Sequence, residues 1–353
     1  MKLSMQMRIL ALIGLWTATV GAVLAHATNN FTVAAYNVEN WLLMERYGKP
    51  DMPKPRGEKE AVFTVLTSVR PDVLGLCEVG STNDFEEIAL GLHARGLDYP
   101  HREWIQGGDG ARHVAVLSRF PIVERHSRTN YSYSLQGESR PIERGVLDVA
   151  VRVNEGYSFR AVVVHLKSKR ATEAGDQAVM RLNEARLLRQ HIESALDSSP
   201  QLNMLVMGDL NDTPGSVPIT TVLGGGRFPL FDLRPLASDG SDGTHFWRWK
   251  KEWSRIDYLL ASPGMSNEFV QGSARIADLE GWDKASDHRA VSAKFHDADL
   301  GEPQAAPAAA NAPAKAANRW LFGYIVLISV LGLAAITFVG YRLLGPRHDS
   351  PPR

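Results

Sequence analysis

The chain has 353 residues, of which 44% are hydrophobic and 22% are charged. This length suits one large domain with additional segments, and the composition excludes a disordered, collagen-like or disulfide-rich chain. Lys and Arg residues number 39, as do Asp and Glu residues, so no overall basic excess indicates a nucleic-acid partner. The single cysteine, Cys77, excludes an intramolecular disulfide and a thiolate metal cluster.

The N-terminal segment has the pattern of a secretory signal. Two basic residues precede an uncharged apolar run over residues 9–25, and residues 25–27 read Ala-His-Ala. This small-x-small sequence is typical of a signal-peptidase site. We therefore predict that residues 1–27 form a cleaved signal peptide, with an uncleaved anchor as the alternative.

A second apolar run covers residues 320–344 and is interrupted only by Arg342. About 20 such residues span the hydrocarbon core of a bilayer as a helix, so this run predicts one transmembrane helix. Residues 301–319 read as an Ala/Pro-rich linker, and residues 345–353 as a cytoplasmic tail. The predicted location is the cytoplasmic (inner) membrane, with the main domain on the periplasmic or extracytoplasmic side. The membrane is thus an expected partner, and no segment points to an obligate protein partner.

The main domain, residues 28–300, differs in charge from the whole chain. Seven of the 39 basic residues and two of the 39 acidic residues lie outside it, which leaves the domain with a net charge of about −5. A protein that holds duplex DNA mainly by neutralising phosphates usually has the opposite sign. Local basic patches remain compatible with this balance.

Within the domain, short β-branched runs alternate with helical stretches and predict an α/β fold. The predicted strands are 31–36, 73–77, 114–117, 146–153, 159–164, 204–207, 256–260 and 291–295, and the predicted helices are 58–69 and 172–196.

Nearly every predicted strand has a residue able to bind a metal ion or transfer a proton at one end. If these strand ends converge, they form one polar cleft on a rigid scaffold. The residues concerned are Asn37, Glu78, His165, Asp209, Asn211, Asp257, Asp287 and His288.

The oxygen-bearing side chains in this set favour Mg²⁺ or Mn²⁺, with Ca²⁺ possible, over zinc, which prefers several His or Cys ligands. A di-metal site built from His and carboxylate ligands is the alternative. His288 is a candidate general base because imidazole titrates near neutral pH, and Asp257 is its candidate orienting partner. Metal-assisted attack of water on a phosphate ester fits these residues best.

The chain resembles the endonuclease/exonuclease/phosphatase superfamily over about Phe31 to Phe295. That superfamily includes pancreatic-type deoxyribonucleases, base-excision endonucleases, sphingomyelinases and inositol-polyphosphate 5-phosphatases. The resemblance implies a four-layer α/β sandwich of two packed mixed β-sheets flanked by helices. Its motifs occur in order as Asn37-Val38-Glu39-Asn40, the strand ending at Glu78, His165-Leu166-Lys167, Gly208-Asp209-Leu210-Asn211, Arg255-Ile256-Asp257-Tyr258 and Ser286-Asp287-His288.

The resemblance also implies roles for these residues. Asn37 and Glu78 would hold the divalent cation, with Asp287 as a further metal ligand. Asp209 would orient or deprotonate the attacking water, and Asn211 would bind the phosphoryl oxygen.

His288, paired with Asp257, would act on the scissile phosphate as acid/base or electrostatic clamp. Asp209 and His288 therefore compete for the role of general base. His165 resembles a histidine of the deoxyribonuclease, sphingomyelinase and phosphatase branches, and is a catalytic and substrate-binding candidate. Arg112 precedes a strand where the family often places phosphate-contacting groups, and a surface loop is the alternative.

The segment 244–253, THFWRWKKEW, mixes three Trp residues with Arg and Lys. Such a segment can stack bases, lie at a membrane interface, or pack on the edge of the sandwich. The expected activity is that of a metal-dependent phosphodiesterase, with a nuclease preferred. A lipid or inositol phosphate phosphoesterase, sphingomyelinase-like, is the alternative, and an inactive membrane-bound binding protein is a third.

The two terminal segments predict a testable topology. An alkaline phosphatase reporter, active only after export, should be active when fused after Leu300 and inactive when fused after Arg353. Protease added to spheroplasts should release the domain by cutting the linker. A domain that resists this protease in intact spheroplasts would contradict the predicted export.

Overall fold

The computed structural model describes residues 29–173 and 175–301. The predicted signal peptide, most of the linker, the helix over 320–344 and the tail lie outside the described residues, so these assignments stay predictions. In the described part, no helix has both the length and the apolar character needed to cross a membrane.

Strands dominate the described residues, and five helices accompany them. The strands are β1 (Asn30–Trp41), β2 (Met44–Arg46), β3 (Lys49–Met52), β4 (Val73–Val79), β5 (His101–Ile105), β6 (His113–Ser118), β7 (Ile122–Arg125), β8 (Ser132–Leu135), β9 (Glu138–Pro141), β10 (Leu147–Asn154), β11 (Tyr157–His165), β12 (Met204–Asp209), β13 (Phe231–Asp232), β14 (His245–Trp247), β15 (Glu252–Ser254), β16 (Asp257–Ala261), β17 (Arg275–Ile276) and β18 (Val291–His296). The helices are α1 (Arg56–Val69), α2 (Thr82–His93), α3 (Gln177–Ser198), α4 (Val217–Leu223) and α5 (Met265–Glu268), and Trp282–Lys284 forms a short 3₁₀ turn.

Two six-stranded sheets form the centre of the described part of the chain. Their strand orders are β17-β18-β1-β4-β6-β5 and β13-β16-β12-β11-β10-β7. In each sheet the two middle strands are parallel, β1 with β4 and β11 with β12, and the remaining neighbours are antiparallel. Both sheets are therefore mixed, as predicted. The pairs β2–β3, β8–β9 and β14–β15 form separate hairpins.

The faces of the two sheets pack against each other through alternate side chains of their strands. On β1, Val33 and Ala35 face this inner core, whereas Ala34 and Tyr36 face the opposite side. An aromatic cluster closes one end of the core, where the Phe31 ring lies 5.3 Å from that of Phe159 and 5.8 Å from that of Phe295, centroid to centroid. The period-2 pattern of each strand thus supplies two buried faces.

Helices cover the outer faces of both sheets. α1 and α2 pack on the first sheet through Val62, Leu66 and Ile88. α3 and α4 pack on the second sheet through residues such as Leu188 and Ile219. The order helices, sheet, sheet, helices makes four layers, and the α/β prediction with mixed sheets is confirmed.

Two predicted boundaries are wrong by five residues. The first strand, expected to end at residue 36, continues to Trp41. The helix expected from residue 172 begins at Gln177, because the Asp176 side chain accepts a hydrogen bond from the backbone N–H of Ala178 (2.8 Å) and caps the helix there.

Gly208 lies on β12 directly before Asp209 and adopts φ +128°. A Cβ atom there would lie 2.2 Å from the carbonyl oxygen of Val164. We expect Gly208→Ala to lower the free energy of unfolding by about 3 kcal/mol, through backbone strain and overpacking. Gly57→Ala on α1, where nothing lies within 4 Å, is the matched control and should be neutral or slightly stabilising in the same denaturant titration. Equal stability of the two variants would contradict this packing.

Candidate active site

The polar strand ends predicted from the sequence meet at one edge of the sandwich. The parallel strands β1 and β4 end there, as do β11 and β12. β16 and β18 run antiparallel to them and therefore begin at the same edge, and Asp257 is the ladder partner of Asp209. Asn37, Asp209, Asp257 and His288 are all at least 95% buried.

A bulge in β4 directs Glu78 to this edge. The register of β4 shifts between Cys77 and Val79 against both neighbouring strands, and Glu78 has φ +64°. Cys77 still faces the inner core and Val79 the outer one, so Glu78 is the extra residue between them. Its carboxylate accepts a hydrogen bond from the backbone N–H of Asn40 at 2.9 Å.

Two carboxylates approach the same amide group. The Asn37 Nδ2 donates to Glu78 Oε1 at 3.2 Å and to Asp209 Oδ2 at 3.1 Å. The Asn37 Oδ1 accepts the backbone N–H of Glu39 at 3.0 Å, and its Nδ2 lies between the Glu78 and Asp209 carboxylates, whose oxygens form a converging donor set. Such a donor set fits a hard divalent cation, which neutralises converging carboxylates in the same way.

Asp209 is the most constrained of these carboxylates. Its Oδ1 accepts the backbone N–H of Asn211 at 2.8 Å, and its Oδ2 accepts the Asn211 amide at 3.2 Å. Asn211 has φ +54° and also donates to the carbonyl oxygen of Leu166 at 3.0 Å. Burial raises the pKa of Asp209 to about 7, although the positive charge of His288 acts to lower it. Asn211 therefore stands beside Asp209 with its position fixed by the backbone.

His288 lies between carboxylates. Its Nδ1 is 2.8 Å from Asp257 Oδ2, and its Nε2 is 3.7 Å from Asp209 Oδ2. Burial alone would lower the pKa of His288, but the charges of Asp257 and Asp209 outweigh it and raise that pKa well above the usual range. His288 and Asp257 are thus in contact, as the sequence predicted.

His165 completes the buried group. Its Nε2 is 3.5 Å from Asp209 Oδ2, and its Nδ1 has no hydrogen-bond partner among the described residues. Burial lowers the pKa of His165 well below the usual range, so the imidazole is neutral near pH 7.

Asp287 lies beside two histidines. Its Oδ1 is 3.9 Å from His288 Nε2, and its Oδ2 is 3.8 Å from the Nε2 of His245. The six strand-end residues and Asn211 thus lie together, whereas Asp287 approaches the histidines. His245 is not among the residues predicted from the sequence, because the aromatic and basic residues dominate segment 244–253.

Arg112 lies at the rim, where its Nε donates to Asn40 Oδ1 at 2.9 Å and stands 4.0 Å from Glu78 Oε2. It therefore contacts the residues around Glu78 and lines the cleft, and its contact with phosphate stays a prediction.

These groups lie in a cleft of about 980 Å³. Its lining includes the carboxylates of Glu78, Asp209 and Asp287. Five cations that also line it are called here the basic wall: Arg140, Arg144, Lys167, Lys169 and Arg170. Four of them pair with acids, Arg144 and Lys167 with Glu143, Lys169 with Asp212 and Arg140 with Glu138.

A buried acid on α3 fixes the basic wall. Glu184 accepts the backbone N–H of Glu143 at 3.0 Å and that of Lys167 at 2.6 Å. Burial raises the pKa of Glu184 to about 7. The two loops that carry Arg144 and Lys167 are therefore attached to one side chain.

Arg248 ties the β14–β15 hairpin to the site. Its guanidinium donates two hydrogen bonds to the Glu39 carboxylate, at 2.8 and 3.0 Å. Trp249, at the tip of this hairpin, is 93% exposed.

The model of the endonuclease/exonuclease/phosphatase family matches residues 47–288, which is more than half of the chain. The chain belongs to this family, and it is a divalent-metal-dependent phosphoric ester hydrolase. A comparison with curated proteins gives no match.

Solved structures share the fold at low sequence identity. An endonuclease/exonuclease/phosphatase family protein from Leptotrichia buccalis has a TM-score of 0.54 and 18% identity, over 75% of this chain and 99% of its own. Sphingomyelinase C from Streptomyces griseocarneus has a TM-score of 0.51 and 18% identity, over 76% and 100%. The catalytic domain of human Nocturnin with bound sulfate has a TM-score of 0.51 and 16% identity, over 75% and 94%.

The geometry predicts that two residues of this site are required for turnover. Asp209→Asn and His288→Ala should each lower turnover by roughly two or more orders of magnitude, the scale of acid/base and charge-stabilising groups. Phosphodiester hydrolysis and thermal melting should be measured on the same preparations. His93→Asn, at an exposed position on α2, is the control and should retain full turnover. A folded Asp209→Asn or His288→Ala variant with near-native turnover would show that the residue has no such role.

Proposed function

We propose that the protein is an exported, membrane-tethered phosphodiesterase whose preferred substrate is nucleic acid. The observation that carries this proposal is the basic wall, which lies in the same cleft as the buried Asp209–His288 group. A substrate with phosphates on both sides of the scissile bond could contact both features at once.

The cation is proposed to be Mg²⁺ or Mn²⁺, held by Asn37 and Glu78. When bound, it supplies electrostatic stabilisation of the charge that develops on the phosphate oxygens. Asp287 would add a ligand only if its side chain turned away from the histidines that it approaches in this structure.

The side chains around the proposed cation have separate roles in proton transfer and in charge stabilisation. Asp209 is held by Asn37 and Asn211, which suits a carboxylate that orients or deprotonates an attacking water. His288 has its Nδ1 engaged by Asp257, which leaves Nε2 to face the cleft and contact the phosphate as an acid or a clamp. Asn211 and His165 lie beside Asp209 and are proposed to contact the phosphoryl oxygens.

The basic wall favours an anionic substrate that extends beyond one phosphate. Arg144 is 96% buried and pairs with Asp109 through Nη2 at 3.0 Å and with Glu143 through Nη1 at 2.5 Å, whereas its Nε has no hydrogen-bond partner among the described residues. Arg170 makes no ion pair in the described part of the chain and is exposed. Guanidinium groups bind phosphate oxygens strongly, whereas a cationic choline headgroup would be repelled.

A lipid phosphoesterase is the second candidate. The exposed Trp249 and the half-exposed Trp247 and Trp253 on the β14–β15 hairpin suit a membrane interface. One neighbour in fold is a sphingomyelinase C. A tether to the membrane would keep either substrate within reach of the site.

A panel assay tests the proposal. The purified protein with Mg²⁺ or Mn²⁺ should hydrolyse DNA or RNA faster than sphingomyelin or inositol phosphates, and EDTA should abolish the activity. Restoration by Mg²⁺ or Mn²⁺ is expected after EDTA is removed. Hydrolysis of sphingomyelin with no action on nucleic acid would select the second candidate, and full activity in EDTA would contradict the metal site.

The basic wall makes a separate prediction. Arg170→Ala should raise the KM for DNA about tenfold, since it removes one charge-assisted phosphate contact, and should leave hydrolysis of bis(p-nitrophenyl) phosphate unchanged. Arg227→Ala, an exposed arginine paired with Asp197, is the matched control. An unchanged KM for DNA in Arg170→Ala would remove the support that this wall gives to a nucleic-acid substrate.

A further inference from the structure

His245 stands in the cleft but belongs to none of the motifs that mark the hydrolytic site. It begins strand β14, and its ring centroid lies 4.7 Å from that of His288. We propose that His245, Asp287 and His288 form a second cation site, which takes a zinc-like transition metal ion and is distinct from the Asn37–Glu78 pair.

The donor atoms have suitable separations. Asp287 Oδ2 lies 3.8 Å from His245 Nε2, and Asp287 Oδ1 lies 3.9 Å from His288 Nε2. One ligand atom from each residue falls within 4.8 Å of the other two. Zn²⁺ binds His and carboxylate ligands at about 2.0–2.2 Å, which places neighbouring ligand atoms of a tetrahedral site roughly 3.4 Å apart. Small side-chain movements therefore suffice to close this group around one ion.

The backbone brings the two histidines together. His245 and His288 form an antiparallel bridge. The N–H of Phe246 donates to the carbonyl oxygen of Asp287 at 2.9 Å, and the N–H of Arg289 donates to that of Thr244 at 2.7 Å. Residues opposite one another across such a bridge project to the same side. The convergence of the imidazoles thus rests on main-chain pairing and not on flexible side chains alone.

Each imidazole is already held through its other nitrogen. His288 Nδ1 is engaged by Asp257 at 2.8 Å, and His245 Nδ1 contacts the Ser254 hydroxyl at 3.2 Å. Metal-binding histidines almost always have this second contact, which fixes the ring and leaves the remaining nitrogen free to coordinate. Both Nε2 atoms face the Asp287 carboxylate here.

The ligand types select the ion. Two imidazoles and one carboxylate match three-ligand zinc sites, whereas Mg²⁺ prefers oxygen ligands. An ion bound here would replace the proton on Nε2 of His288, whose pKa Asp257 and Asp209 raise, and that proton would pass to solvent. The site therefore makes hydrolysis sensitive to zinc, which should act as an inhibitor even when Mg²⁺ is saturating.

Zinc binding can be measured without any substrate. Zn²⁺ should be titrated calorimetrically into the full-length protein at saturating Mg²⁺, and Co²⁺ absorption should report the coordination. We expect one tight site in the native protein. His245→Asn should weaken Zn²⁺ binding at least tenfold, and Ser254→Ala about tenfold because it frees the ring of His245. The control His93→Asn changes a histidine outside the cleft and should bind Zn²⁺ as the native protein does.

Three results would overturn the inference. Zn²⁺ affinity could be equal in the native, His245→Asn and Ser254→Ala proteins. Zn²⁺ could bind His245→Asn normally but fail to bind Glu78→Gln, which would place the ion at the oxygen-ligand site. Native protein could show no tight site at all. None of these results depends on which phosphate ester is hydrolysed, and in a working assay the inhibition by Zn²⁺ should weaken in His245→Asn in parallel with binding.

Discussion

The burial of several carboxylates at one edge of the sandwich is the constraint on which the rest of the site depends. Asp209 and Asp257 are almost inaccessible to solvent, and Glu78 lies close to Asp209 through the Asn37 amide. Uncompensated buried charges are strongly unfavourable, so each needs a donor or a cation.

The fold supplies most of that compensation from neighbouring strands. The amides of Asn37 and Asn211 donate to Asp209, and His288 stands between Asp209 and Asp257. The divalent cation proposed at Asn37 and Glu78 would complete the balance. The property that makes the site costly to fold, dense negative charge away from water, is the same property that gives a metal ion its affinity.

Much of this arrangement could be predicted from the sequence. Runs of β-branched residues predicted the strands. The polar residues at the ends of these runs lie at one edge of the sandwich, as expected for Asn37, His165, Asp209 and Asp257. Side chains alternate along a strand, and parallel neighbouring strands end at the same edge of a sheet. The position of a polar residue at the end of a predicted strand therefore predicts the edge at which its side chain lies.

The remaining features depend on tertiary contacts that the sequence pattern does not encode. The bulge that redirects Glu78 needs a neighbouring strand to define its register. The position of Asp287 beside His245 depends on a bridge between segments about 40 residues apart along the chain. The basic wall likewise draws on loops before and after β10 and β11, so its charges are scattered in the sequence and the domain's net negative charge conceals them.

The cleft therefore combines carboxylates at the strand ends with cations on the loops beyond them. Acids such as Glu143 and Asp109 accompany those cations, so the loops carry both signs of charge. Net charge alone argued against a phosphate-rich polymer as substrate, whereas the local distribution is compatible with one. The electrostatic potential inside a cleft is determined by the few side chains that line it and not by the overall composition.

Glu184 gives the basic wall a separate support from the strands that carry the carboxylates. Both loops of the wall are fastened to α3, and the loop of Lys167 also contacts the site, because Asn211 donates to the Leu166 carbonyl oxygen at 3.0 Å. Exposed side chains of the wall, such as Arg170, can be exchanged without removing these contacts. Evolution can retune the polymer, lipid or small phosphate ester that this scaffold accepts by changing loop residues, while the buried machinery that cleaves the bond stays intact.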